Sequence, residues 1–305
     1  MRDLCVVIPT HERHHYLTRS IAYYSRFDCQ VMVCDSSAEA YPHPVPANVA
    51  YHHLPGQRFP DKILHALALS SCQFLALSPD DDFLFEESLY KGVDALVANP
   101  RAQACVGDVL SFPDAPPFRI VSRDSGRAMV DALSDDALRN IRNYLFNYHQ
   151  ILWGLFRREA LHKSFSVIAA ARYGNENFFE VTIATLCAGS GGVHYLDDFW
   201  ILRELSPSEH WGTRHRQIGR EIDLKTDVDV AKFRRLIDAE LFAGASDAAL
   251  KAYLEGRPAL QKFALLRRAF SRIAGLLPRK EQPPREIMQT DGDRRFAPII
   301  SAISK

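Results

Sequence analysis

The sequence predicts an α/β fold built on a mostly parallel sheet flanked by helices, and three observations carry that reading. Short apolar runs recur along the first half of the chain, each stops at a polar or proline-containing turn, and helix-like segments lie between them. Strands that alternate with helices need crossover connections, which sets them parallel in one sheet with both faces covered.

The first run, Leu4-Cys5-Val6-Val7-Ile8, stops at Pro9-Thr10 and gives way to polar His11-Glu12-Arg13-His14-His15. A helix-like segment passes through Tyr16, Ile21 and Tyr24. The second strand, Gln30-Val31-Met32-Val33-Cys34, ends in Asp35-Ser36-Ser37, and a third, over residues 49–54, stops at Pro55-Gly56. A helix over residues 61–71 feeds a fourth strand, Phe74-Leu75-Ala76-Leu77, which runs through Ser78-Pro79 into Asp80-Asp81-Asp82. Residues 85–98 read as a helix closed by Asn99-Pro100, residues 104–110 as a fifth strand, and residues 114–117 as a loop. Residues 131–147 show helical spacing, and 151–157 read as another strand. A helix runs through Val181, Ile183, Ala184 and Leu186 to Gly189. A strand over 193–196 then turns at Asp197-Asp198.

The Asp80-Asp81-Asp82 triplet is the most informative chemistry. Adjacent carboxylates repel unless water or a cation screens them. Oxygen-rich clusters suit hard cations such as Mg²⁺ or Mn²⁺. Open α/β sheets bind ligands at the carboxyl ends of their strands. The ends of strands one, two and four converge in this order, so Thr10, Asp35 and the triplet share a crevice. A solvated acidic turn is the alternative for the triplet taken alone.

These residues together resemble a family 2-type glycosyltransferase of the GT-A fold. The resemblance rests on the N-terminal strand with Pro9-Thr10-His11-Glu12-Arg13, on Cys34-Asp35-Ser36-Ser37, and on the triplet as an Asp-x-Asp motif, and it covers about residues 4–205. His11-Glu12 stands where that family has an aromatic-Asn pair, and Asp35-Ser36-Ser37 lacks its second Asp and its Gly. The resemblance implies a Rossmann-like GT-A domain over 1–227, with a nucleotide-sugar half (1–112) and an acceptor half (113–227); beyond it the character of the sequence changes, residues 230–243 and 248–254 look helical, and 228–305 read as a helical extension and tail. It implies nucleotide-sugar contacts at Pro9, Thr10, Glu12, Arg13, Asp35, Lys62, Asp80 and Asp81. It implies Mn²⁺ or Mg²⁺ at Asp82 and Asp80, with a late His as a further ligand: His210 first, His215 second. Arg214 and Arg216 are candidates for the diphosphate.

In the family an acid at the start of a helix deprotonates the acceptor hydroxyl. Tyr173-Gly174-Asn175-Glu176-Asn177-Phe178-Phe179-Glu180 occupies that place. Glu176 is the closer match and Glu180 the second; four apart, they share a helix face. Helix starts also carry acids for the macrodipole alone. Arg139 and Arg142 are either a phosphate or acidic-sugar contact or a solvated helix face.

Composition fits an enzyme with a substantial core: 305 residues, 47% apolar, formal net charge zero. No global field favours nucleic acid. Six scattered cysteines without a C-x-x-C pair favour a reducing compartment over a zinc site or disulfide scaffold. Neither a signal peptide nor an apolar run of transmembrane length is visible. Residues 257–280 carry seven basic residues and no acid, interleaved with apolar ones. That pattern reads either as a membrane-surface helix or as one packed on the domain or a dimer partner. Residues 281–305 read as an extended tail with a short apolar end.

The expectation is a metal-dependent glycosyltransferase, hexosyl- or related, inverting by resemblance. It would move a sugar from a nucleoside-diphosphate donor, UDP-linked in the first instance, to a hydroxyl of a glycan or lipid-linked acceptor. Bacterial surface polysaccharide or glycoconjugate assembly is the setting, cytoplasmic or peripheral on the inner face of the membrane. One alternative is an inactive GT-A scaffold that binds glycan or a protein partner. Another is a sugar nucleotidyltransferase, which needs a Gly-rich loop after the first strand; residues 10–20 hold no glycine.

Overall fold

The computed structural model describes residues 3–113, 119–127, 133–205, 215–219, 221–257 and 294–303. Its first half is β1 (Leu4–Thr10), α1 (His14–Tyr24), β2 (Gln30–Asp35), β3 (Val49–His53), α2 (Phe59–Leu69), β4 (Phe74–Leu77), β5 (Phe83–Leu84) and α3 (Glu86–Ala98). The second half is β6 (Ala104–Pro113), β7 (Ser122–Asp124), α4 (Ala137–Phe146), β8 (Leu155–Arg157), α5 (Arg158–Ala171), α6 (Asn177–Gly189), β9 (Val193–Leu205), α7 (Val228–Glu240), α8 (Ala245–Glu255) and α9 (Ala297–Ile303).

The strands form one sheet in the order β3-β2-β1-β4-β8-β6-β9-β5, with β7 paired to β6. β1 is parallel to both neighbours, with Thr10 level with Asp35 and Val7 level with Leu77. That central place explains its unbroken apolar run, since both of its faces are covered. Side chains alternate between two cores. Cys5 and Val7 of β1 join Met32, Cys34, Leu75 and Leu77 under α2 and α4–α8, whereas Leu4, Val6 and Ile8 join Val31, Val33 and Ala76 under α1, α3 and α9.

Several expectations are corrected. The strand expected over 151–157 is only Leu155–Arg157, because 151–154 form a turn closed by Gly154 N donating to the Ile151 carbonyl at 2.9 Å. A Cβ on Gly154 would lie 2.9 Å from that same oxygen, so the turn requires glycine. Asp197-Asp198 is no turn: β9 runs through it, and a register irregularity around Gly107 and Asp108 of β6 absorbs the misfit. Helix α5 was not foreseen, although Leu161, Phe165 and Ile168 are buried at helical spacing. The apolar end of the expected tail is helix α9, with Phe296, Ile299 and Ala302 buried. The loop over 114–117, His210, Arg214 and the basic segment beyond Arg257 lie outside the described residues. All six cysteines are free, and burial pushes the Cys29 and Cys34 thiols up to about 12. No helix among the described residues is long and apolar enough to cross a membrane.

Candidate active site

The carboxyl ends of β1, β2 and β4 lie side by side in the sheet, and hydrogen bonds tie the turns that leave them. Glu12, just past β1, sits in the left-handed region at φ 57°, a costly conformation for a residue with a side chain. It is held there from both ends. Its N–H donates to Ser37 Oγ at 2.7 Å, and its Oε1 accepts from Ala38 N at 2.7 Å. Lys62 on α2 braces the same turns from beneath, donating to the Thr10 carbonyl at 2.7 Å and to Ser36 Oγ at 2.9 Å. Burial pushes its ammonium down to about 8, against the pull of Cys34, Asp80 and Asp35.

Asp35 is wholly buried. Oδ1 accepts from Ser37 N at 2.8 Å and Ser37 Oγ at 2.5 Å; Oδ2 accepts from Tyr51 OH at 2.7 Å and faces His14 Nε2 at 2.8 Å. Burial pushes the carboxyl up, but these bonds outweigh it and hold it below its usual value. Four partners fill a carboxylate's acceptor positions. Asp35 therefore acts on its surroundings through the groups it orients: Ser37, His14 and Tyr51.

The Asp triplet divides. Asp80 accepts from Thr10 Oγ1 at 2.6 Å and pairs with Arg13 at 3.2 Å, and Asp81 pairs with the same guanidinium at 2.5 Å. Arg13 lies over the Tyr16 ring, 4.3 Å from its centroid. Asp82 turns the other way, accepting from Glu204 N at 3.0 Å and pairing with Arg203 Nε at 3.4 Å, both residues of β9. Burial, with Asp81 adding repulsion, lifts Asp80 to about 7 against Arg13 and Thr10. Burial and Asp81 also push Asp82 up, against Arg203 and the Glu204 N–H. Of the three side chains Asp81 is the most exposed, at 19%.

From Asp82 a chain of contacts crosses to α6. Arg203 Nη2 donates to Gln150 Oε1 at 2.5 Å, Gln150 Nε2 donates to Glu180 Oε1 at 3.3 Å, and Tyr148 OH donates to Glu180 Oε2 at 2.7 Å. Glu180 lies in the first turn of α6, where the macrodipole favours a carboxylate. Glu176 takes the N-cap position without capping. It faces His215 Nε2 at 3.1 Å, part of a strap in which Asn175 and Asn177 donate to the Arg216 carbonyl. The two glutamates, first and second candidates for one role, thus belong to different networks.

Thr10, Arg13, Lys62, Asp35, Asp80 and Asp81 lie together at the strand ends, with Pro9 in register with Cys34. Arg216 pairs with Asp227 at 2.7 Å. Arg139 and Arg142 lie exposed on α4. Among the described residues no three His, Cys, Asp or Glu side chains converge to hold a metal ion. Sequence reasoning missed His14, Tyr51, Tyr148, Gln150 and Arg203. The available signals were polar Tyr148-His149-Gln150 just ahead of an apolar run, and Arg203-Glu204 near the carboxyl end of an apolar strand.

No family model matches the chain, and no curated protein matches it. Among solved structures it is similar to S. aureus TarS, at 12% identity and a TM-score of 0.47, over 84% of this chain and 55% of that one. It therefore spans little more than half of that longer chain. The structure of TarS 1–349 gives 12% identity and a TM-score of 0.47 over 86% of this chain and 92% of that one. The same fragment in complex with UDP-GlcNAc gives 11% and 0.47 over the same shares. Likeness of this depth transfers neither a substrate nor a site.

Proposed function

We propose that the chain is a nucleotide-sugar-dependent glycosyltransferase of GT-A type, with the catalytic domain over 1–227 and the helical extension over 228–305. The observation that carries this reading is the linkage of two acidic centres: the Asp triplet with Arg13 at the strand ends, and Glu180 on α6, joined through Arg203 and Gln150.

In this reading the Pro9–Thr10 backbone, Glu12 and the groups ordered by Asp35 receive base and ribose. Lys62 keeps the two turns in register from below. Asp80 stays with Thr10 and Arg13 and faces the ribose. A hard cation takes one or two protein carboxylates and completes its shell with phosphate oxygens, so the lack of a three-ligand cluster among the described residues does not conflict with one. Asp80 and Asp82 would hold Mn²⁺ or Mg²⁺, with Asp81 as an alternate ligand and His210 as a further one. Bound there, the cation supplies charge neutralisation for the departing diphosphate.

Glu180, backed by Tyr148 and Gln150, takes the proton from the acceptor hydroxyl. The oxygen so freed bonds to the anomeric carbon as the bond to the diphosphate breaks, with inversion. Glu176, bound into the 215–216 strap, has the weaker claim. The acceptor is a glycan or lipid-linked hydroxyl of surface polysaccharide or glycoconjugate assembly. The basic segment 257–280 would rest on an anionic membrane surface on the cytoplasmic side. A screen of nucleotide sugars for Mn²⁺-dependent release of nucleoside diphosphate tests the reading. No release from any donor, with and without candidate acceptors, would leave a binding scaffold in its place.

A further inference from the structure

Gln150 stands between a group that only donates and a group that only accepts. Arg203 Nη2 reaches its Oε1 at 2.5 Å, and its Nε2 reaches Glu180 Oε1 at 3.3 Å. A guanidinium has no acceptor and an ionised carboxylate no donor, so only one of the two amide orientations satisfies both neighbours. The opposite orientation would set oxygen against carboxylate and NH₂ against guanidinium. Arg203 is fixed in turn from its other side by Asp82 at 3.4 Å, and Asp82 also grips β9 through Glu204 N at 3.0 Å. Glu204 is itself anchored by an ion pair to Arg19 of α1.

We infer that Arg203 and Gln150 are positioning residues: Asp82 of the triplet fixes Arg203, Arg203 fixes the orientation of the Gln150 amide, and that amide aims the Glu180 carboxylate. The geometry stands alone; its meaning for catalysis rests on the function proposed above. An arriving diphosphate enters the field of the same guanidinium. With five N–H donors Arg203 can take a phosphate oxygen and keep Gln150. Occupancy of one side of the crevice is thereby felt on the other through a single amide.

The test reads that amide directly. In the ¹⁵N-labelled full chain the Gln150 side-chain NH₂ pair is assigned by its disappearance in Gln150→Met. Arg203→Met is expected to move or broaden the pair beyond its linewidth. Arg203→Lys, which keeps a charged donor, is expected to restore it in part. Arg216→Met, remote and paired with Asp227, is expected to leave it unmoved. Backbone amides of β9 report whether the strand survives each change. An unmoved Gln150 pair in Arg203→Met with β9 intact overturns the bridge. If β9 is lost in that variant, Arg203→Lys and Asp82→Asn decide in its place, by the same shift. Addition of UDP with Mg²⁺ is expected to shift the pair in the native chain and not in Arg203→Met. Calorimetric binding of UDP without any shift overturns the transmission. Absence of UDP binding overturns the nucleotide reading instead, while the ligand-free arm still decides the bridge.

Discussion

The donor side and the acceptor side of the proposed site are built by different means. On the donor side, Thr10, Asp35 and Asp80 stand at or just past the ends of parallel strands whose register is fixed by apolar runs. On the acceptor side, Glu180 owes its setting to Tyr148, Gln150 and Arg203, drawn from a loop and from a strand that starts more than forty residues later in the chain. Strand ends are a local consequence of sequence. A bridge of side chains exists only once the sheet has closed. Acids of the first kind can be found by reading along the chain, and their partners of the second kind cannot.

The sharpest way to break this contrast is to remove the proposed base. Loss of a positioned general base typically costs on the order of 10²–10⁴ in rate. Glu180→Gln is expected to lower turnover by that order with donor affinity nearly unchanged, and Glu176→Gln to be mild. Steady-state kinetics on whichever donor the screen identifies would reverse the assignment if the two effects exchanged places.

Asp35→Asn probes the donor side through stability. An amide NH₂ placed among Ser37, Tyr51 and His14 meets donors where a carboxylate accepted them. Each buried donor left unpaired costs about 1–3 kcal/mol. Denaturant midpoints should fall accordingly, and an unchanged midpoint would show that the Asp35 hub does not hold the turns.

Asp80 adds a pH signature. Its folded value, about 7, lies above the ordinary 3.8, so the folded state holds the proton more tightly than the unfolded one. The resulting contribution is fully present below about pH 4 and fades as pH rises through about 7. The melting temperature should therefore fall by several degrees between pH 5 and 8 from this group, and Asp80→Asn should flatten that slope. A slope unaltered in the variant would remove Asp80 from the account.

The smallest effect is expected on α4. Exposed substitutions away from special features usually stay within about 0.5 kcal/mol. Arg139→Ala and Arg142→Ala should change neither stability nor UDP affinity measurably. A clear loss of UDP binding by calorimetry would return α4 to the site.

Most of the parallel core was legible because its signal is local. β1, β2 and β4 are short runs buried on both faces, and their turns carry the proline, serines and acids that end them. What escaped depends on distant partners. The turn at Gly154 shortens β8 through one backbone contact. The irregularity near Asp108 lets β9 pass through Asp197 and Asp198, which pair with Arg127 and Lys91 instead of forming a turn. Helix α5 was readable from Leu161, Phe165 and Ile168 but lay next to a strand expected to be longer. In the site, the acids were visible as acids. The roles of Asp35 as a filled hub, and of Glu176 and Glu180 as members of separate networks, depend on residues that no spacing rule connects.

Helix α9 packs against α1, and the turn before it sets Phe296 edge-on to Phe85 at 5.5 Å and Arg295 against Asp198 at 3.0 Å. During synthesis α1 leaves the ribosome about 270 residues before the segment that covers it. Until then Phe85 and its apolar neighbours on that face of the sheet have no lid, which makes them natural ground for a chaperone or for aggregation. The same delay governs fragment design. A version cut at residue 257 to test the basic segment for lipid binding would also strip the cover from α1, and any stickiness it showed towards vesicles would have two causes. An internal deletion that spares residues 294–303 separates them.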